Sequence, residues 1–212
     1  MKTRTTKAVA ATALTALSLM LASGAEAALV ERLGGKAIYD DVADLTWLQD
    51  ANYAQTSGYD ADGRMNWVQA KAWAGSLNID GVTGWRLPGG TMVNGGYNQT
   101  ASEMGHLFYN VLGGTAGSSI ATSHNANYNL FQNVQSWVYW SGVESFSGST
   151  SAWANDFRSG LEFRYGKSIN LSAWAVRSGD VGASPVPVPG ALVLMAPALL
   201  GLLGVKRSRR RA

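Results

Sequence analysis

Two carboxylates that could bind a cation lie two residues apart in the segment Tyr59-Asp60-Ala61-Asp62-Gly63. Calcium prefers oxygen ligands, so Asp60 and Asp62 are candidate calcium ligands. The segment is not an EF-hand loop, because its sixth position is Met65 instead of glycine and its twelfth is Lys71 instead of glutamate. The alternative is an Asp-Gly turn whose carboxylates stabilise the start of the next helix.

A second candidate pair, Asn155 and Asp156, lies in the segment Trp153-Ala154-Asn155-Asp156. This segment is similar to the Trp-Asn-Asp sequence of calcium-binding lectins. The inserted Ala154 changes the alternation that would direct both side chains to one cation, so packing within a sheet is the other interpretation. Calcium at these two pairs is the one cofactor that the sequence suggests.

The residue types needed for catalysis are sparse. The chain has no cysteine, which excludes thiol catalysis and cysteine metal ligands. Its two histidines, His106 and His124, lack further metal ligands at known spacings, and no Gly-x-Ser-x-Gly motif occurs. We therefore predict no catalytic residues and a protein that is not an enzyme. A glycosidase carboxylate pair acting on polysaccharide stays the open alternative, because distances between acids cannot be read from sequence.

The amino-terminal residues have the pattern of a secretory signal peptide. Three basic residues precede the apolar run Ala8–Leu21, and Ala25-Glu26-Ala27 has the small-x-small pattern that signal peptidase cleaves. We expect cleavage between Ala27 and Ala28 to remove residues 1–27. A first transmembrane helix is the alternative.

The carboxyl-terminal residues 185–212 have the pattern of a second targeting signal. A proline-rich spacer and the apolar segment Ala191–Val205 precede a basic end, and that segment is shorter than the roughly 20 residues that span a bilayer core. The spacer Val186-Pro187-Val188-Pro189, the apolar segment and the arginine-rich end resemble a PEP-CTERM sorting signal. In that family an exosortase, a membrane transpeptidase of Gram-negative bacteria that make exopolysaccharide, recognises the signal. Val188 replaces the central glutamate, as in the Val-Pro-rich variant, and Pro187 and Pro189 mark the region to be processed. A plain C-terminal membrane anchor is the alternative.

The two terminal signals and the body of the chain between them differ in charge. Residues 28–184 contain nine Lys and Arg against thirteen Asp and Glu, a net charge of −4, although the whole chain is at +3. The basic isoelectric point therefore belongs to the termini and does not indicate a nucleic-acid partner. The body has the length of one domain.

The pattern of apolar residues predicts two helices among short strands. Gly35–Tyr39 and Leu45–Leu48 form a predicted hairpin, Asn66 begins a helix through a capping box with Gln69, and a second helix starts near Thr100 and ends at Gly113. Residues 114–129 are predicted to be a surface loop. The later predicted strands are Trp137–Trp140, Ala152–Arg158, Leu161–Tyr165 and Ser172–Arg177, with hairpin turns at Ser159-Gly160 and Gly166-Lys167.

Six sequence elements occur in the order found in one bacterial family. They are Asp41 with Leu45-Thr46-Trp47, the helix Asn66–Ala74, Trp85-Arg86-Leu87-Pro88, Tyr139-Trp140-Ser141, the turn Phe157–Gly160, and Ala175-Val176-Arg177. Together they resemble the Lcl C-terminal-like domain, first described at the end of a collagen-like adhesin. The resemblance implies an α+β, C-type-lectin-like fold, also similar to the formylglycine-generating enzyme, with two helices flanking an irregular antiparallel sheet. The hydrophobic C-terminal helix would be separate from it. Adhesin members of the family are associated with polyanionic glycans, and the family provides no established catalytic residues.

The remaining candidates are aromatic and basic side chains. Large aromatic residues in small domains are usually core, so we expect this for most of Trp85, Trp137, Trp140, Trp153 and Trp174. Arg86 and Arg177 are expected to make internal ion pairs or backbone hydrogen bonds. An exposed ligand surface should come from the two polar loops, for which the predicted ligand-binding residues are Tyr97, Asn98, His124 and Tyr128.

These observations predict an exported protein, held briefly in the inner membrane by its C-terminal segment and then sorted to the cell surface or extracellular matrix. Signal peptidase and an exosortase-type enzyme are its expected processing partners. The body is expected to bind extracellular polysaccharide or a cell-surface partner without catalysis. A structural matrix protein without a discrete ligand is the rival hypothesis.

Overall fold

A computed structural model describes residues 28–92, 94–145 and 150–182. The predicted signal peptide, the sorting signal with its hydrophobic helix, and the processing residues Ala27, Pro187 and Pro189 lie outside the described residues. Among the residues that are described, no helix has the length and apolar character required to cross a membrane.

The first sheet contains the predicted hairpin. Its antiparallel strand order is β1 (Leu29–Arg32), β2 (Ala37–Asp40), β3 (Leu45–Leu48) and β9 (Val176–Ser178). The turn between β2 and β3 closes because Asp40 Oδ1 accepts the N–H groups of Val42 and Ala43, at 3.0 and 3.2 Å. Asp44 ends the turn at φ 51°, a left-handed conformation that aspartate tolerates. The hairpin prediction is confirmed.

The second sheet contains five strands. They are β4 (Arg64–Met65), β5 (Val138–Glu144), β6 (Ser151–Asp156), β7 (Leu161–Gly166) and β8 (Leu171–Ser172). Their order in the sheet is β4, β8, β5, β6, β7, with one parallel contact between β5 and β8 at Tyr139 and Ser172. The turn at Ser159-Gly160 joins β6 to β7 as predicted, with Gly160 at φ 74°. Gly166-Lys167 is a turn but not a hairpin, because the next strand, β8, pairs with β4 and β5.

One predicted strand is divided between the two sheets. The segment Ser172–Arg177 contributes its first residue to β8 and its last two to β9. Residues 173–175 connect them and are buried, so their apolar sequence reflects a core crossing rather than one strand. The whole is an α+β fold with few helices and mostly antiparallel sheets.

The first predicted helix forms as its capping box requires. Asn66 Oδ1 accepts the N–H of Gln69 at 3.0 Å, and Gln69 Oε1 accepts the N–H of Asn66 at 3.2 Å. The helix α2 runs Trp67–Ser76 and buries Trp67, Ala70, Trp73 and Ala74, whereas Lys71 is exposed as expected. A single short helical turn, α1 (Tyr53–Thr56), precedes it.

The second predicted helix begins later than Thr100. Ser102 is its N-cap, because Ser102 Oγ accepts the N–H of Gly105 at 2.9 Å. The helix α3 (Glu103–His106) continues as a π-helical segment over Leu107–Val111, and the chain turns away at Gly113, at φ 71°.

The loop that follows is partly internal. Its Ile120 is wholly buried and donates its N–H to the carbonyl of Phe157 at 2.9 Å. A 3-10 helix, Ala126–Leu130, lies at its end. The prediction of a surface loop over residues 114–129 is therefore wrong at Ile120, whose side chain joins the core.

Aromatic side chains make up much of this core. Of the five tryptophans assigned mostly to packing, four are buried and Trp137 is half-buried, which confirms the expectation. Trp140 is among the tryptophans whose buried indole N–H has an acceptor, because its Nε1 donates to the carbonyl of Met65 at 2.8 Å. This bond ties β5 to β4, two strands that do not pair directly.

Replacing Trp140 by alanine should lower the free energy of unfolding by about 3–5 kcal/mol, because the side chain is fully buried and its removal leaves a cavity. Urea denaturation measures the change. Val68→Ala on the exposed side of α2, where Val68 is 65% exposed, is the control and should change stability by less than about 0.5 kcal/mol. Equal stability of Trp140→Ala and the parent would contradict the core assignment.

Candidate ligand-binding site

The first predicted calcium pair forms a backbone turn. Asp60 Oδ1 accepts the N–H groups of Asp62, Gly63 and Arg64 at 3.1, 2.9 and 3.2 Å. Burial works against the charged form of Asp60, but these hydrogen bonds outweigh it and hold its pKa below the ordinary value. Gly63, at φ 74°, lies so close to Asn52 that a Cβ would collide with the amide oxygen. The geometry is that of the Asp-Gly turn.

The second predicted pair points in two directions. Neighbouring residues of a strand face opposite sides, so Asn155 and Asp156 diverge. Asn155 is wholly buried, whereas the carboxylate of Asp156 binds the guanidinium of Arg158, with Nε and Nη2 each at 2.8 Å. Within the described ranges, no three histidine, aspartate or glutamate side chains gather as a metal site would require. Calcium binding at these residues stays a prediction.

The predicted ligand-binding residues lie on exposed loops. Tyr97 is 45% exposed, and Asn98 beside it is exposed at φ 58°. His124 stacks on Tyr128 with ring centroids 4.1 Å apart and an interplanar angle of 15°. The rings of Tyr97 and His124 are exposed, whereas Tyr128 is half-buried and packs against the core.

Both loops are fixed to the hairpin of β6 and β7. Gly96 exchanges two backbone hydrogen bonds with Glu162, at 2.8 and 2.9 Å. On the other loop, Gly117 donates to the carbonyl of Ser159 at 2.8 Å. The sheet therefore positions both predicted ligand loops at the same hairpin.

A buried polar cluster lies beneath the first of these loops. Glu162 is wholly buried, and its Oε2 accepts the hydroxyl of Ser102 at 2.6 Å. Asn155 lies directly opposite Glu162 across the strand pair, and neither its side-chain amide nor Glu162 Oε1 has a hydrogen-bond partner. Burial raises the pKa of Glu162 to about 7, although the bond from Ser102 acts in the opposite direction. Glu162 is therefore held mostly as the neutral acid below that pH.

A half-exposed surface of aromatic and basic residues lies elsewhere on the second sheet. The guanidinium carbons of Arg64 and Arg158 lie 4.8 and 4.4 Å from the ring centroid of Trp137. Phe163 and Tyr165 are half-buried neighbours on β7, with centroids 4.6 Å apart. We call these five residues the arginine–tryptophan surface. Their chemistry suits a flat ligand that carries negative charge.

Neighbouring groups in this surface stabilise the charged form of Arg158. Its pKa lies above the ordinary value, first because of the hydrogen bonds to Asp156 and with a smaller contribution from Tyr165. Arg64 extends from β4 and is exposed. Sequence reasoning missed both arginines, because strands β4 and β6 are brought to Trp137 only by the folded sheet. Their one local signal is that each arginine follows two residues after an aspartate.

A groove of about 390 Å³ beside the Trp85-Arg86-Leu87-Pro88 segment is built around a structural ion pair. Arg86 binds Glu103 through two hydrogen bonds of 2.6 and 2.7 Å. Arg177 donates from Nε to the carbonyl of Thr83 at 2.9 Å. The predicted internal roles of Arg86 and Arg177 are therefore confirmed. His106 is likewise engaged, since its Nε2 lies 2.9 Å from the buried carboxylate of Asp40.

The sequence model of the Lcl C-terminal domain matches residues 36–177. The chain belongs to the Lcl C-terminal domain family. In this Lcl C-terminal domain the match begins before β2 and ends within β9, so it contains both candidate loops, the buried Glu162 and the arginine–tryptophan surface. No protein in the curated set matches the chain.

Glu162→Gln should change how the stability of the Lcl C-terminal domain depends on pH. An unfolded glutamate loses its proton near pH 4.5, whereas Glu162 keeps it to about 7 in the folded domain. Raising the pH through this window therefore lowers stability, by about 3 kcal/mol for a shift of this size. Glutamine cannot ionise, so Glu162→Gln should lack that loss when denaturation is followed from pH 4 to pH 8.

The control is Glu31→Gln, which removes an exposed acid from β1. It should keep the parental pH dependence. A Glu162→Gln variant whose stability falls with pH as steeply as that of the parent would show that Glu162 is not held neutral.

Proposed function

We propose that this is an exported, non-catalytic binding protein that recognises an anionic extracellular polysaccharide. The observation that carries the proposal is the arginine–tryptophan surface, where Arg64 and Arg158 lie within 5 Å of the half-buried ring of Trp137. Aromatic rings pack against the apolar faces of sugars, and a guanidinium group such as that of Arg64 binds carboxylates and sulfates through paired hydrogen bonds. Nε and Nη2 of Arg158 already bind Asp156, so Arg64 is the main anion-binding group of the surface. One surface thus offers both interactions.

The charge distribution supports local rather than general attraction. The body carries a net charge of −4, so a polyanion would be repelled by much of the surface. Binding must then depend on the few places where cations gather, and it should weaken as salt screens them. A net negative domain with local cations favours a specific site over non-specific electrostatic association.

The two exposed loops are the second part of the proposed binding region. Tyr97, Asn98, His124 and Tyr128 remain the predicted ligand-binding residues there, and the stacked His124–Tyr128 pair provides a flat contact. A C-type-lectin-like fold is part of this proposal, because loops fixed to an antiparallel hairpin would present the ligand surface. Asp60, Asp62, Asn155 and Asp156 are retained only as the calcium hypothesis to be tested with a chelator.

Export and sorting complete the proposal. Signal peptidase would release the chain at Ala28, and an exosortase-type enzyme would act near Pro187 and Pro189. The C-terminal segment would hold the protein in the inner membrane until then, and the domain would afterwards reach the cell surface or matrix. The support is the order of basic, apolar and small residues at the two ends of the sequence.

Arg64→Gln should weaken binding to the producing organism's acidic polysaccharide about tenfold, as expected for one lost charge-assisted contact. Calorimetry with the mature chain measures the affinity, in calcium and in a chelator. Lys36→Gln is the control, because Lys36 is an exposed cation in the turn between β1 and β2 that pairs with Asp80. It should bind like the parent, and both variants should melt like the parent.

Equal binding by Arg64→Gln and Lys36→Gln would contradict the assignment of the site. No saturable binding by the parent would favour the structural matrix protein, and release of reducing ends from the polysaccharide would identify an enzyme. Binding that disappears in the chelator would show that the site requires calcium.

Deleting residues 185–212 should release the protein into the medium, because the proposed sorting signal is removed while the described domain is left intact. Immunoblots of cells and medium measure the distribution. Replacing the arginine-rich end alone with serines tests whether retention depends on charge. A truncated protein that stays with the cells would refute the sorting proposal.

A further inference from the structure

A carboxylate binds the backbone directly before β1. The backbone nitrogen of Ala28 donates a hydrogen bond of 2.8 Å to Asp41 Oδ1. Ala28 comes directly before β1, and Leu29 lies opposite Asp40 in the β1–β2 pair. The antiparallel register thus brings Asp41, the next residue along, to the start of β1.

The three acids of the β2–β3 turn have different partners. Asp40 is buried, accepts backbone N–H groups of the turn and binds His106. Asp44 accepts the hydroxyl of a tyrosine on β2. Asp41 is exposed and accepts the N–H of Ala28. The carboxylate that faces the start of β1 is thus separate from those that close the turn and contact α3.

Cleavage between Ala27 and Ala28 would change the chemistry of this donor. Hydrolysis adds water across the peptide bond, so that the new carboxylate stays on Ala27 and the amine on Ala28. An α-amine has an ordinary pKa of about 7.7–8.0 and takes up a proton at neutral pH. A neutral amide with one hydrogen would become an ammonium group with three hydrogens and a positive charge.

We propose that Asp41 is the binding site for the α-ammonium group of the mature chain, so that removal of the signal peptide creates an ion pair that the precursor cannot form. This inference rests on the proposed export and cleavage. The ion pair would fix Ala28, the residue directly before the edge strand β1, and so hold the start of that strand in place.

The charges around this end of the first sheet favour the ammonium form. The three turn acids are the carboxylates at this end, and His106 from α3 is already bonded to Asp40. Arg32, at the other end of β1, forms an ion pair with Asp180 at 2.6 Å. Because the interaction favours the protonated amine, its contribution to stability is present below the ordinary pKa and is lost as pH rises through the raised one.

The test compares chains that run from Ala28 to Ala212 in detergent solution, with Asp41 and with Asp41→Asn. Selective labelling with ¹³C-methyl groups lets NMR titrate the α-amine alone. The amine should titrate about half a pKa unit higher with Asp41 than with asparagine, as expected for an exposed pair. Asp80→Asn, which removes an exposed acid paired with Lys36, is the control and should leave the titration unchanged.

A chain with two extra residues before Ala28 gives a second comparison that keeps Asp41. The α-amine of this longer chain lies two residues away from Ala28, so it should titrate at the lower value expected without the ion pair. This comparison does not require Asp41→Asn to fold. Mass spectrometry of the exported protein from producing cells identifies the natural amino terminus. Export with a start other than Ala28 would overturn both the proposed cleavage and this inference. A start at Ala28 with an amine that titrates alike in every chain would overturn the ion pair and leave the export proposal intact.

Discussion

The fold depends on one buried indole at the junction of the two sheets. Trp174 lies between β8 and β9, and its Nε1 donates to the carbonyl of Leu48 on β3 at 2.7 Å. Its ring contacts Trp47 from the first sheet and Tyr139 from the second, each with centroids 5.7 Å apart. Burial of aromatic surface and satisfaction of the indole N–H are therefore achieved together, which sets the position of each sheet relative to the other.

The β6–β7 hairpin links this core to the exposed loops. Its buried side chains include apolar residues of the core and the polar residues Asn155 and Glu162. Its backbone forms hydrogen bonds with the loops that carry Tyr97 and His124. Glu162 belongs to both sets, because its backbone pairs with Gly96 while its side chain reaches the N-cap Ser102. Glu162 therefore joins a loop through its backbone and a helix start through its carboxyl group.

Local signals predicted the elements that local interactions form. The capping box at Asn66 and the turn after Asp40 satisfy backbone groups within a few residues, so their residue types were sufficient. The buried position of Glu162 was not predictable, because alternation with Leu161 and Phe163 assigns it to solvent, whereas distant segments that include Ser102 cover it in the fold. The loop aromatics were expected to be exposed, but Arg64, Trp137 and Arg158 meet through strand pairing across distant segments. A binding surface that strand pairing assembles leaves no pattern in any one segment of the sequence.

The position of β9 has a consequence for when the protein can fold. The strand that completes the first sheet comes from the end of the domain, and the Trp174–Leu48 bond joins residues 126 positions apart. Strands β1, β2 and β3 are synthesised early, but the first sheet stays incomplete until β9 follows. Contacts between residues so far apart in sequence form late, because the chain entropy of closing the long loop is lost before the contacts stabilise it. The core between the two sheets can therefore close only when residues 171–178 are in place.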